Sequence, residues 1–415
     1  MPAFRLQSDF NGIDPRFPSP DLTIAAGPSL LVLADNSGVA IVNKAGVGLD
    51  SKPMSEFFAS VRARGANRLT DPWVVYDAQS GRFFLANSDR VDNAGCTVGT
   101  CIAHLLLAVS KSANPRSLTP ADWYLYALDR TLDRTLDGTT LTTNWGDFDH
   151  IAVVGDVVAI SMNMYTFAGS NQGVKVRLLD KSALVNGAPV TSWTDFVALP
   201  GGFRVATMFG NPGVIFLLRS PSCSAEILSI PLTPVSRVVT SRTVSVAGSC
   251  VSPPDVVQPG GGRPIDVVLG AQAVYRNGSL WQAGLVRSNF GSTDVSAIRW
   301  IQVDVSRWPD GVQILQNGIH GTDGSWAFAP TLMVDSTNGM GMVYGRAGAT
   351  EFLSAYYVGR LASDPPNTLR APNLLKSGAA VFSFILDGRN RYTDYFGISL
   401  DPADDSIWML GMYAN

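Results

Sequence analysis

Apolar residues in this chain come in short runs of four to eight, broken by Gly, Pro, Asn and Asp, and helical spacing is almost absent. The best helical window is SKPMSEFFASVRAR, Ser51 to Arg64; TPADWYLYALD, Thr119 to Asp129, begins like a helix but fits a strand as well. A unit recurs in which a polar or acidic entry is followed by an apolar strand, a tight turn, a second strand and then a third. Copies begin near residues 21, 71, 149, 203, 265, 328 and 394, roughly 50 to 80 residues apart. Seven units of up to four antiparallel strands predict an all-β fold, a seven-bladed β-propeller formed by the whole chain as one domain. The seventh copy, DYFGISLDPADDSIWMLGMYAN, has only two strands, so the N-terminal segment AFRLQSDF is expected to complete that blade and close the ring. A two-domain β-sandwich is the architectural alternative, but no linker divides the units, even at PDVVQPGGGRP.

Composition narrows the class. Of the 415 residues, 46% are hydrophobic and only 16% charged, enough for a large core and too apolar for disorder. The net charge of −3 provides no global field for nucleic acid or an anionic membrane, and no apolar run is long enough to span a bilayer. Four cysteines allow two short-range pairings, Cys96 with Cys101 and Cys223 with Cys250, against the alternative of four free thiols. Disulfides of this kind persist in oxidising compartments, so the expected location is secreted, periplasmic or extracellular. A monomer is expected.

The segments DLTIAAGPSLLVLADNSGVAIVNKAG, DPWVVYDAQSGRFFLANSD and DYFGISLDPADDSIWMLGMYA together resemble a group of secreted bacterial β-propeller proteins, some of them attached to adhesion or anchoring modules. The resemblance covers nearly the whole chain and implies fold and export. It supplies no catalytic residues. The sialidase Asp-box is absent, TDGSW at Thr322 to Trp326 being only a fragment of it.

Candidate chemistry follows from the repeat. The entry positions Asp21, Asp71, Asp149 with His150, Arg204, Asp266, Ala329 with Pro330, and Asp394 are expected to form a mostly acidic collar at one channel mouth. Asp routinely satisfies backbone N–H groups in turns; as a set, Asp21, Asp71, Asp266 and Asp394 are also candidate ligands for a structural Ca²⁺, with no cofactor otherwise required. The second strands of units four to six end in Arg219, Arg287 and Arg346, three cations at one repeat position, which suits a carboxylate-bearing ligand. Facing them, His150 and Tyr165 are candidate proton carriers, with Asp149 or Asp147 orienting the imidazole. Trp145, Trp326, Tyr392 and Tyr395 offer flat faces for sugar rings, or else pack between blades. His320 is a reserve candidate, and His104 reads as a structural residue in a strand. No G-x-S-x-G elbow, P-loop or dinucleotide fingerprint is present.

Two readings follow. The first is a propeller acting on an anionic, uronate-type extracellular carbohydrate by lyase or hydrolase chemistry at the channel mouth. The second is a non-catalytic propeller that binds an acidic glycan or a protein in adhesion.

Overall fold

The computed structural model describes residues 8–13, 20–219, 223–233, 238–266, 272–386 and 388–415. Alternating segments such as HIAVVGDVVAIS form hairpins because Gly155, at φ 55°, takes the left-handed turn that lets Val154 pair with Val157. Asn277 and Gly278, both at positive φ, make an equivalent two-residue turn between Arg276 and Ser279.

These hairpins assemble into six antiparallel sheets in chain order. The first contains Thr23–Ala26 to Gly48–Pro53, the second Arg68–Asp77 to Trp123–Asp129, and the third Asn144–Val154 to Thr194–Leu199. The fourth runs from Arg204–Val205 to Thr240–Ser245, the fifth from Ala273–Arg276 to Gln313–His320, and the sixth from Ser325–Val334 to Asn373–Lys376. The fifth gains an inner strand from unit four, since Thr207–Met208 pairs parallel with Ala273–Arg276. Innermost strands touch their neighbours in sequence order. The hairpin of Gly397–Leu400 and Ile407–Leu410 packs against both the sixth and first inner strands, closing the ring.

The fold is therefore an all-β propeller of six blades, not seven. The seventh unit forms only that two-stranded hairpin. No outer strand extends it among the described residues; instead Phe10 and Ile13 cover it, with the Phe10 ring 6.1 Å from that of Trp408. Residues 8–13 form no strand there, and most of the segment expected to complete a seventh blade lies outside the described residues. The Ser51 to Arg64 window yields a single helical turn, Met54–Phe57, and Thr119 to Asp129 resolves as the strand Trp123–Asp129. The fifth inner strand starts at Ala273 rather than near Ile265, which only bridges Val256.

Burial follows the propeller logic: sheets bury both faces on their neighbours, so the inner strand TIAA and the next strand LLVLA are buried at every position. Cys96 is bonded to Cys101 and Cys223 to Cys250. Among the described residues no helix is long and apolar enough to cross a membrane.

The inner strands share one device. Registers shift between Thr70 and Trp73, Asp147 and His150, and Phe328 and Thr331. At these bulges Asp71, Phe148 and Ala329 have φ of 57°, 60° and 47°, and Asp21 has 52° just ahead of the first strand. A left-handed non-glycine residue costs about 1–3 kcal/mol, so four at corresponding blade positions mark where the ring concentrates backbone strain.

Candidate active site at the entry end of the channel

The bulges fall near the middle of the inner strands, and the residues at and before them meet those of neighbouring blades. Asp21 and Asp71 are nearly fully buried there and tie successive blades together. The N–H of Asp394 donates to Asp21 Oδ1 at 2.6 Å, and Asn36 Nδ2 donates to Asp21 Oδ2 at 2.7 Å. Asn36 Oδ1 accepts the N–H of Asp71 at 2.8 Å, while Asp71 Oδ2 accepts that of Phe148 at 2.8 Å. This belt joins the closing hairpin to blades one, two and three, and it explains the acidic blade entries as satisfied turn acceptors.

The same carboxylates are electrostatically crowded. Burial, then the neighbouring Asp394 carboxylate, pushes the Asp21 carboxyl up to about 8. Burial also holds Asp71 well above the carboxylate range, reinforced by the charge of Asp147 and a hydrogen bond shared with it. Asp394 is raised by burial, although Arg391 pairs with it and opposes the shift. Arg204 lies over the Phe148 ring at 4.0 Å and donates through Nη1 to Gly202 O at 2.9 Å. Its burial lowers its pKa to about 10, while Asp394, Tyr165, Asp71 and Asp147 all act to keep it charged. Tyr165 is raised by burial and then by Asp147, and its ring lies 5.4 Å from that of Trp145. Arg90 covers Trp145 at 3.4 Å.

Six expected residues therefore share this locale: Asp21, Asp71, Asp394, Arg204 and Tyr165, with Trp145 at its rim. Asp147, considered only as an orienting group, is the partly accessible partner of Asp71. Arg391 was missed; its position three residues before Asp394 was the available signal.

Other candidates are placed elsewhere. His150 is 2% exposed, stacked on Trp73 at 3.8 Å and on Phe148 at 5.3 Å, with neither ring nitrogen hydrogen-bonded. Burial, then Arg204, lowers its pKa well below the usual range, and the ring packs as an aromatic filler beneath the bulge. Asp149 does not orient it, because its carboxylate is paired with the buried guanidinium of Arg130. Arg219, Arg287 and Arg346 do not form one cluster. Each pairs across to the next strand of its own blade, with Glu226 at 3.2 Å, Asp294 at 3.7 Å and Glu351 at 2.8 Å. Their repetition is that of a cross-strand ion pair. Trp326, Tyr392 and Tyr395 are buried, Tyr392 edge-on to Phe328 at 5.4 Å, and so pack between blades. Tyr344 OH lies 3.1 Å from His320 Nε2, and burial lowers His320 to about 4.

The donor set does not suit a cation. Asp266 is engaged by Arg389 at 2.9 Å, the Asp21 oxygens are taken by N–H donors, and Arg204 and Arg391 stand among the remaining carboxylates. Among the described residues no group of three or more His, Cys, Asp or Glu is arranged to hold a metal ion.

No family model matches the chain, and no curated protein matches it. Solved structures with a similar shape include a point mutant of the NanB sialidase from Streptococcus pneumoniae, at 8% identity and a TM-score of 0.43, over 79% of this chain and 65% of that one. An ACO/RPE65 chimera matches at 11% identity and 0.45, over 91% and 73%. The WD40 domain of SCAP from fission yeast matches at 10% and 0.37, over 87% and 74%. The chain thus spans slightly under two thirds of that sialidase chain. Likeness at this level adds nothing on chemistry.

Proposed function

We propose that this protein is a secreted propeller hydrolase of an anionic extracellular carbohydrate, acting at the entry end of the channel. The observation that carries the reading is the Asp71 and Asp147 carboxyl pair beside Arg204, in which burial and the charge of Asp147 raise Asp71 well above the carboxylate range. A proton-bearing carboxyl is what a glycosidic leaving oxygen needs, and hydrolysis requires a second carboxylate. In this reading the proton shared by the pair is delivered to the leaving oxygen through Asp147, the partly accessible member, and Asp71 is left as the carboxylate. Asp394, held by Arg391, is the second carboxylate, and Arg204 receives the acidic group of the sugar. Elimination with His150 as base is disfavoured by the sealing of that ring between Trp73 and Phe148. The two disulfides support an oxidising compartment.

A glycan-binding or adhesion propeller is the second reading, favoured by the backbone N–H groups that occupy Asp21 and Asp71. A panel of acidic polysaccharides and aryl uronides, followed by reducing-end release, separates the two. Asp147→Asn is expected to lower kcat by about 100-fold or more while ligand still binds. Arg204→Met is expected to raise KM chiefly, and His150→Phe to retain turnover. Absence of wild-type turnover across the panel, with glycan binding that depends on Arg204, establishes the binding module instead.

A further inference from the structure

A sizeable cavity lies beside the acidic cluster and is lined by other residues. It has a volume of about 540 Å³ and is lined by residues of the inner strands, among them 23–24, 73–77, 151–154 and 397–400. Trp73, one of its lining residues, stacks on His150 and packs edge-on to Tyr395 at 5.1 Å, so the same side chain floors the cavity and backs the acidic cluster.

Its chemistry differs from that of the entry end. Its apolar lining includes Ile24, Ile151, Met333, Phe396 and Ile398, all buried apart from what they present to the cavity. Amides also line it, Gln79, Asn211, Gln272 and Asn277, each with one end engaged: Gln79 Oε1 accepts from Lys181, Asn211 Oδ1 from the N–H of Gly213, while Gln272 donates to Thr207 and Asn277 to Ser336 O and Asn338. The charged groups there are already neutralised: Asp77 accepts from Lys181 at 3.0 Å, and Arg276 lies 3.6 Å from Asp405. Strand edges line it too. Arg68–Asp77 and Asn144–Val154 each end their sheets, and Gly397–Leu400 pairs with one strand only. Two neighbouring N–H groups need side-chain oxygens as acceptors, Ala26 from Ser399 Oγ at 2.9 Å and Val74 from Thr23 Oγ1 at 3.1 Å.

We propose that this cavity is a binding site for a short uncharged peptide segment led by a hydrophobic side chain. An apolar lining accepts the side chain, strand edges offer backbone donors and acceptors to an extended chain, and the remaining ends of the amides match further peptide groups. Paired charges in the lining leave no net field for an acidic or basic ligand. The volume lies in the range of sites that bury small ligands, which suits two or three residues of chain. This site is independent of the acidic end and does not rest on its proposed chemistry.

The test is calorimetry of the whole protein with N-acetyl-leucyl-valyl amide as probe and N-acetyl-aspartyl-aspartyl amide as comparison. The apolar peptide is expected to bind with one-to-one stoichiometry and the acidic one not to bind. Val153→Trp, which fills the partly exposed wall of the cavity, is expected to abolish binding. Should that variant fail to fold, Asn211→Ala at the exposed rim is expected to weaken binding about threefold to tenfold, the value of one amide hydrogen bond. Arg204→Met, at the other end, is expected to leave it unchanged. No binding to the wild type at millimolar peptide, equal binding of the acidic peptide, or binding that neither cavity variant diminishes overturns the proposal.

Discussion

The two ends of the propeller channel are made by the same inner strands, yet they are physically opposite. At the entry end four left-handed residues, buried carboxylates and two arginines crowd the axis. At the exit end the strands run out regularly into turns such as Val154–Val157, leaving an open cavity whose charges are paired. The difference shows how a repeated fold separates its tasks. Strain and titratable groups gather where blades must be tied together, because bulges there free backbone N–H groups that only side chains from the next blade can satisfy. Shape and apolar surface gather where no such ties are needed.

The sharpest way to break this contrast is to cut the support under the acidic end. Arg130 and Asp149 are both buried and paired beneath the Phe148 bulge. Asp149→Ala leaves the guanidinium without its counter-charge, and denaturant unfolding is expected to show a loss of about 3–5 kcal/mol. A loss below about 1 kcal/mol would mean that the bulge does not depend on this pair.

A smaller effect is expected from pH. Asp21 titrates near 8 in the folded protein against 3.8 for the ordinary side chain, and Asp71 is shifted in the same direction. Between those values the folded state binds more protons than the unfolded state. The contribution of these groups is complete below about pH 4 and is lost as pH rises through about 8, so stability should decline over that window. Asp71→Asn imitates the protonated side chain and tolerates positive φ, so its melting temperature should fall less steeply between pH 5 and pH 9. Parallel profiles for the two proteins would remove Asp71 from the account.

The smallest expected effects lie on the arginines outside the channel. Arg287→Ala removes a half-exposed pair at 3.7 Å and should change stability by under about 1 kcal/mol. Arg346→Ala should cost more, since Arg346 makes two bonds to Glu351 at 2.8 Å and 3.0 Å and also meets Tyr356. Urea titrations compare the two, and equal losses would argue that the tighter geometry of Arg346 contributes nothing.

Much of the acidic end was legible because it belongs to the repeat. Asp21, Asp71, Arg204 and Asp394 stand at blade entries, and entry positions meet at the axis of any propeller. The arginine trio was misread for a local reason: its partners lie only five to seven residues further on, across one hairpin, and the repeated acid was the signal to weigh. His150 was not legible. Trp73 and Tyr395, which enclose it with Phe148, come from distant units, so its neighbours in the chain, Asp147 and Asp149, gave no measure of its burial. The blade count failed where the last unit found a cover of side chains rather than further strands.

What the sequence determined by itself was local and periodic. Apolar alternation fixed the strands, Gly and Asn at positive φ fixed the hairpins, and recurrence fixed the propeller and its acidic entries. Only the tertiary structure decided which groups are charged, paired or reachable. It sealed His150, divided Asp147 from Asp149 across the Phe148 bulge, and placed the cavity beside the acidic cluster. The physical reason is that ionisation and access depend on burial and on charges brought together from separate blades, and a chain read one segment at a time holds neither.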